Sequence, residues 1–102
     1  MSLSYSQQGE RLVLQGELTR STIPSLWQQR QQWLPLAIHD ATVTIDLAAV
    51  EHADSAGVAM LLRLKGELQQ RHCELAIVAV NPQLRAIAEV SGASEILQLP
   101  AR

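Results

Sequence analysis

The stretch from Ala41 to Val80 constrains the fold more than any other, because it reads as strand, helix, strand. Ala41-Thr42-Val43-Thr44-Ile45-Asp46-Leu47 is rich in β-branched residues and suits a central strand, with Asp46 expected near its C-terminal end. From Ala56 onward the apolar residues Val58, Leu61, Leu62, Leu64 and Leu68 recur at three-and-four spacing. Arg63, Lys65, Glu67, Gln69 and Gln70 fall largely on the other side, so the segment is an amphipathic helix. Glu74-Leu75-Ala76-Ile77-Val78-Ala79-Val80 then reads as a second buried strand. Two strands joined through a helix form a parallel crossover unit, and such units build sheets covered by helices.

The flanks complete the architecture. Leu3-Ser4-Tyr5-Ser6 and Arg11-Leu12-Val13-Leu14-Gln15 alternate polar and apolar residues around Gln8-Gly9-Glu10, which predicts an opening hairpin. Ser21 and Thr22 precede Pro24, a residue suited to a first helical turn, so a helix should begin near Ile23. Ile23, Leu26, Trp27, Trp33 and Leu34 form its apolar side, and Pro35 limits its extension. Asn81-Pro82 offers a capping side chain and a proline for a third helix running through Val90, which Gly92 ends. Ile96-Leu97-Gln98-Leu99 is expected as a last short strand. The expected order is β-β-α-β-α-β-α-β, an α/β fold with one mixed sheet of about five strands. Its 102 residues suit one domain spanning 1–102. Right-handed crossovers put successive helices on one side of such a sheet unless the strand order reverses.

Composition excludes several functions. Phe is absent, and only Tyr5, Trp27 and Trp33 are aromatic, so the core must be aliphatic. The formal net charge is -2 and the Lys and Arg residues are scattered, which argues against a nucleic-acid partner. No apolar run approaches the ~20 residues that span a bilayer, so no direct membrane insertion is expected. Cys73 is the single cysteine, and the first residues lack the basic and apolar regions of a signal peptide; a cytoplasmic setting is expected. No glycine-rich phosphate loop and no dinucleotide fingerprint is present. His39, His52 and His72 lie in different segments without zinc-ligand spacing, and His72 points away from its neighbour Cys73 in helix or strand geometry. Asp46 as a phosphoaspartate acceptor would need further carboxylates for Mg²⁺, whereas the preceding strand ends in Gln15-Gly16. No catalysis, metal or cofactor is expected.

One constellation carries a positive signal. Ile45-Asp46-Leu47 leads through a short loop to Asp54-Ser55-Ala56-Gly57, which opens the amphipathic helix. A strand ending in aspartate-leucine, followed at this distance by Asp-Ser-x-Gly at a helix start, resembles the STAS domain of anti-sigma factor antagonists and related regulators. Gly16-Glu17-Leu18 after the second strand and Gly92 before the expected last strand extend the likeness over nearly the whole chain. On the residues themselves, Ser55 is expected to cap the helix, with Asp54 complementing the helix dipole. The resemblance implies a further role: the matching serine of anti-sigma antagonists is phosphorylated by the anti-sigma kinase, which makes Ser55 the candidate switch. A phosphate there would meet unpaired helix N–H groups and the negative charges of Asp54 and Glu51. Asp54, Ser55, Ala56, Gly57, Val58, Ala59 and Leu62 are the expected partner-docking residues.

Ile23-Pro24-Ser25-Leu26-Trp27-Gln28-Gln29-Arg30 and the ending Ile96-Leu97-Gln98-Leu99-Pro100 resemble the STAS subunits of bacterial phospholipid ABC transporters. That branch implies docking on the transporter's ATPase subunit, peripheral to the inner membrane, in support of retrograde lipid transport and outer-membrane lipid asymmetry. The sigma-regulatory branch, to which a serine at position 55 conforms, implies an anti-sigma factor kinase as partner instead. A small-molecule-binding STAS module is the third reading. The free domain could also form a homodimer through the same apolar ridge.

Overall fold

The computed structural model describes residues 2–100. Strands β1 (Leu3–Gln8) and β2 (Arg11–Leu18) form the expected antiparallel hairpin, with Gly9 at φ 63° in its turn. Helices α1 (Ile23–Gln28) and α2 (Arg30–Ala37) follow, then the two-residue strand β3 (Ile38–His39), strand β4 (Thr42–Ala53) and helix α3 (Ser55–Gln70). The chain closes with β5 (Glu74–Ala79), α4 (Pro82–Ser91) and α5 (Ala93–Ile96). Among the described residues these strands make one five-stranded mixed sheet: β1 pairs antiparallel with β2, β2 and β5 flank β4 in parallel, and β3 pairs antiparallel with the start of β4.

Strand order advances from β2 to β4 to β5 without reversal, so right-handed crossovers stack the helices on one face. The side chains pointing that way, Leu12, Leu14, Val43, Ile45, Leu47, Leu75 and Ile77, are all buried. They join Leu26, Trp33, Leu34, Leu61, Leu64, Leu68 and Leu84 from the helices in one core cluster. The core is aliphatic apart from Trp33, whose indole Nε1 donates to the Leu26 carbonyl oxygen at 2.8 Å. Burying an indole with its N–H paired avoids leaving a polar group unsatisfied.

Four expectations are corrected at the level of elements. The single helix expected from Ile23 is broken at Gln29, whose ψ of 11° leaves the helical range and separates α1 from α2. That break turns Trp33 back onto the Leu26 carbonyl, and Pro35 lies inside α2 instead of ending it. The strand begun by Thr42 runs on to Ala53, which places Asp46 in mid-strand. It is prolonged by β2, whose Gly16, Glu17 and Leu18 pair with Val50, His52 and Ala53. Asp46 there meets Arg11 at 3.2 Å across the strands. Finally, Ile96–Leu99 is not a strand: α5 occupies Ala93–Ile96, with Leu97 N–H donating to the Ala93 carbonyl at 2.9 Å. Gly92, at φ 78°, ends α4 and redirects the chain so that Leu97 enters the core while Ile96 stays exposed. The fifth strand is β3.

Candidate functional site

The candidate site is built where β2, β4 and α3 converge. β4 ends at Ala53, and the next residue, Asp54, keeps an extended backbone (φ −129°, ψ −173°) and donates its own N–H to the Leu18 carbonyl at 3.3 Å. Its carboxylate then works in two directions. Oδ1 accepts from Ala56 N–H at 2.9 Å, capping α3, and Oδ2 accepts from Arg20 N–H at 3.1 Å, fastening the loop between β2 and α1. The cap is therefore Asp54, not Ser55 as expected from the sequence. An extended residue just before the helix aims its side chain at the orphan N–H groups, whereas Ser55 is already the first helical residue and points outward. Thr22 Oγ1 strengthens the same loop by donating to the Glu17 carbonyl at 2.7 Å and accepting from Thr19 N–H at 3.1 Å.

The expected docking residues divide by burial. Ser55 and Ala59 are exposed; Asp54, Ala56 and Leu62 are half-buried. Gly57 and Val58 are buried, because the helix turns them toward β2 and the core. A Cβ at Gly57 would stand 3.1 Å from the Leu18 carbonyl oxygen, so the absent side chain lets α3 seat closely on the end of β2. The Ser55 hydroxyl has no hydrogen-bond partner among the described residues. Along the outer side of α3, Ser55, Ala59, Leu62 and Gly66 recur at helical spacing and make a low ridge, with Leu62 its largest side chain.

Beside the ridge lies a feature the sequence reading assigned to core and surface separately. A shallow groove of about 440 Å³ runs between α1 and α3, walled by Ile23, Pro24, Trp27, Ala56, Met60 and Arg63 with Ala59 on its lip. Trp27 is only half-buried, and two guanidiniums lie over its ring: Arg30 at 3.9 Å and Arg63 at 4.7 Å from the centroid. Arg30 is further held by Glu67 through contacts of 3.1 and 3.2 Å and donates to the Trp27 carbonyl at 2.7 Å. The available signal was the three-residue spacing from Trp27 to Arg30, which the continuous helix expected from Ile23 would put on one face. Arg63 joins them only because α1 packs on α3. Among the described residues no three His, Cys, Asp or Glu side chains are grouped to hold a metal. No helix among them is long and apolar enough to cross a membrane.

A one-faced mixed sheet with a capped helix springing from the end of its central strand is the fold of STAS regulators. A solved anti-sigma factor antagonist from Mycobacterium paratuberculosis superposes with a TM-score of 0.68 at 21% identity, covering 99% of this chain and 86% of that one. More narrowly, the family described as "Mlab, STAS domain" matches residues 1–99, and the chain belongs to it. Its relatives include the "Intermembrane phospholipid transport system binding protein MlaB" of Haemophilus influenzae, 36% identical over 82% of this chain and 81% of that protein. The Escherichia coli protein of the same name is 32% identical over 87% of each chain.

Proposed function

We propose that this chain is a non-catalytic accessory subunit of an intermembrane phospholipid transport system, held at the cytoplasmic side of the inner membrane by docking on the system's ATPase. The observation that carries this reading is the likeness, over most of the chain, to proteins named for that transport system. The site supplies a mechanism. The Ser55–Ala59 ridge has little side-chain bulk, so a partner helix or loop can approach closely. The adjoining apolar groove beside Trp27 accepts a side chain from that partner, as binding anchors commonly require. Asp54 preorganises the surface by locking α3 to the loop before α1, which lowers the ordering cost of association. The domain then acts by stabilising a state of the ATPase, and retrograde phospholipid transport and outer-membrane lipid asymmetry depend on it indirectly.

A second reading rests on Ser55, whose exposed hydroxyl sits free at a helix N-terminus in a fold shared with an anti-sigma factor antagonist. In that reading an anti-sigma kinase is the partner, and phosphate on Ser55 dissolves the complex. Affinity purification from membrane-containing lysate, with mass spectrometry of partners and of the Ser55 peptide, separates the two. Recovery of an ABC ATPase with its permease, lost on Ala59→Arg and weakened by Ser55→Asp, is the expected result. A soluble kinase recovered with phospho-Ser55 would overturn it in favour of the switch. Ser55→Asp should leave the fold intact, since a negative charge in the first helical turn complements the dipole.

A further inference from the structure

Three charged side chains gather around Trp27, two on its ring and one paired to Arg30, and they do not balance. Glu67 presents both carboxylate oxygens to Arg30, at 3.1 Å to Nε and 3.2 Å to an Nη. Arg63 lies one helical turn before Glu67 yet makes no ion pair with it; among the described residues its guanidinium has only the Trp27 ring, 4.7 Å away. Two guanidiniums thus meet at one indole while the single carboxylate pairs with Arg30, and the surplus positive charge sits on exposed Arg63 at the mouth of the groove. Stacking on the indole restrains the side chain without using its N–H donors, which leaves a planar fork available for a carboxylate.

We infer that Arg63 is an orientation-determining residue of the docking site, pairing with a carboxylate on the partner placed beside the apolar side chain that enters the groove. This rests on the docking proposed above and adds the chemistry of the occupant: an apolar anchor with an acidic neighbour, on the transporter's ATPase. Two features narrow the occupant to that pattern. The groove walls are apolar apart from Gln28 and Arg63, so the anchor must be apolar, and an unpaired cation at the rim disfavours a basic neighbour. Arg30 is the less available of the two, because its Nε and one N–H of each Nη are already held by Glu67 and the Trp27 carbonyl and its charge is paired. Rim charge acts chiefly on the rate and register of encounter, so its signature is dependence on salt.

The test measures association of the purified full chain with the purified transporter ATPase at low and at moderate ionic strength, for wild type, Arg63→Ala, Arg63→Lys, Arg63→Glu and Ala59→Arg. Thermal melts check that each variant folds. Arg63→Ala should weaken binding roughly two- to fivefold, as for an exposed ion pair. Arg63→Glu should weaken it about tenfold or more at low salt. Both deficits should shrink as salt rises, and Arg63→Lys should recover part of the loss, since it keeps the charge but not the fork. If Ala59→Arg abolishes binding while Arg63→Glu binds like wild type, or shows a deficit indifferent to salt, the role of Arg63 is refuted and the docking surface stands. If Ala59→Arg and Arg63→Glu both bind like wild type, the docking surface is refuted and the role of Arg63 with it.

Discussion

Asp54→Ala and Ser55→Ala make a paired test of how the site is held. The carboxylate of Asp54 accepts two backbone N–H bonds, from Ala56 at 2.9 Å and from Arg20 at 3.1 Å. Losing an N-cap costs about 1 kcal/mol, and losing a second bond, from the exposed Arg20 N–H to a charged acceptor, costs about 1 kcal/mol more. Asp54→Ala is therefore expected to destabilise the domain by about 2 kcal/mol. With a urea m-value of about 1–1.5 kcal/mol/M, the unfolding midpoint falls by about 1.3–2 M while the slope is unchanged. Ser55 makes no side-chain hydrogen bond among the described residues and alanine is the better helix former, so Ser55→Ala should lie within about 0.5 kcal/mol of wild type or slightly above it. Equilibrium urea unfolding followed by far-ultraviolet circular dichroism reads both. A Ser55→Ala variant as unstable as Asp54→Ala would refute the assignment of the cap to Asp54. So would an Asp54→Ala variant with an unshifted midpoint.

Two further substitutions probe the frame around the site. Gly16 sits at φ 111°, and a Cβ there would lie 2.3 Å from the Ser2 carbonyl oxygen, so Gly16→Ala should cost about 2–4 kcal/mol and loosen the start of β1, read as lost amide-exchange protection across the hairpin. Buried Asn81 caps α4 by accepting from Leu84 N–H at 2.7 Å and donates to the Val50 carbonyl at 3.0 Å; Asn81→Ala should cost about 2–3 kcal/mol in chemical denaturation, whereas a surface asparagine would cost almost nothing.

Asn81 also shows why local signals succeed in some places and fail in others. Asn-Pro before an apolar run predicts a cap and a helix start, and the cap bond to Leu84 is a local contact that the neighbouring residues suffice to form. Its second bond, to Val50, spans the gap between β5 and β4 and has no local signature. At Asp54-Ser55 either residue type could cap, and the choice fell to the one left extended by pairing of β4 with β2. Ile96–Leu99 has strand-like composition, but Gly92 opens the short helix Ala93–Ile96 and burial of Leu97 sends the residues after it into a turn.

By itself the sequence determined the parallel core of the fold, the aliphatic character of the interior, and the helix start at Asp54-Ser55-Ala56-Gly57, because hydrophobic period and turn chemistry act between near neighbours. Tertiary structure alone decided that Gly57 seats against Leu18, that Asp54 reaches across to Arg20, and that Trp27 and Arg63 meet at one groove. Those relations join segments far apart in the chain, and they exist only once α1 and α3 have packed side by side on the same face of the sheet.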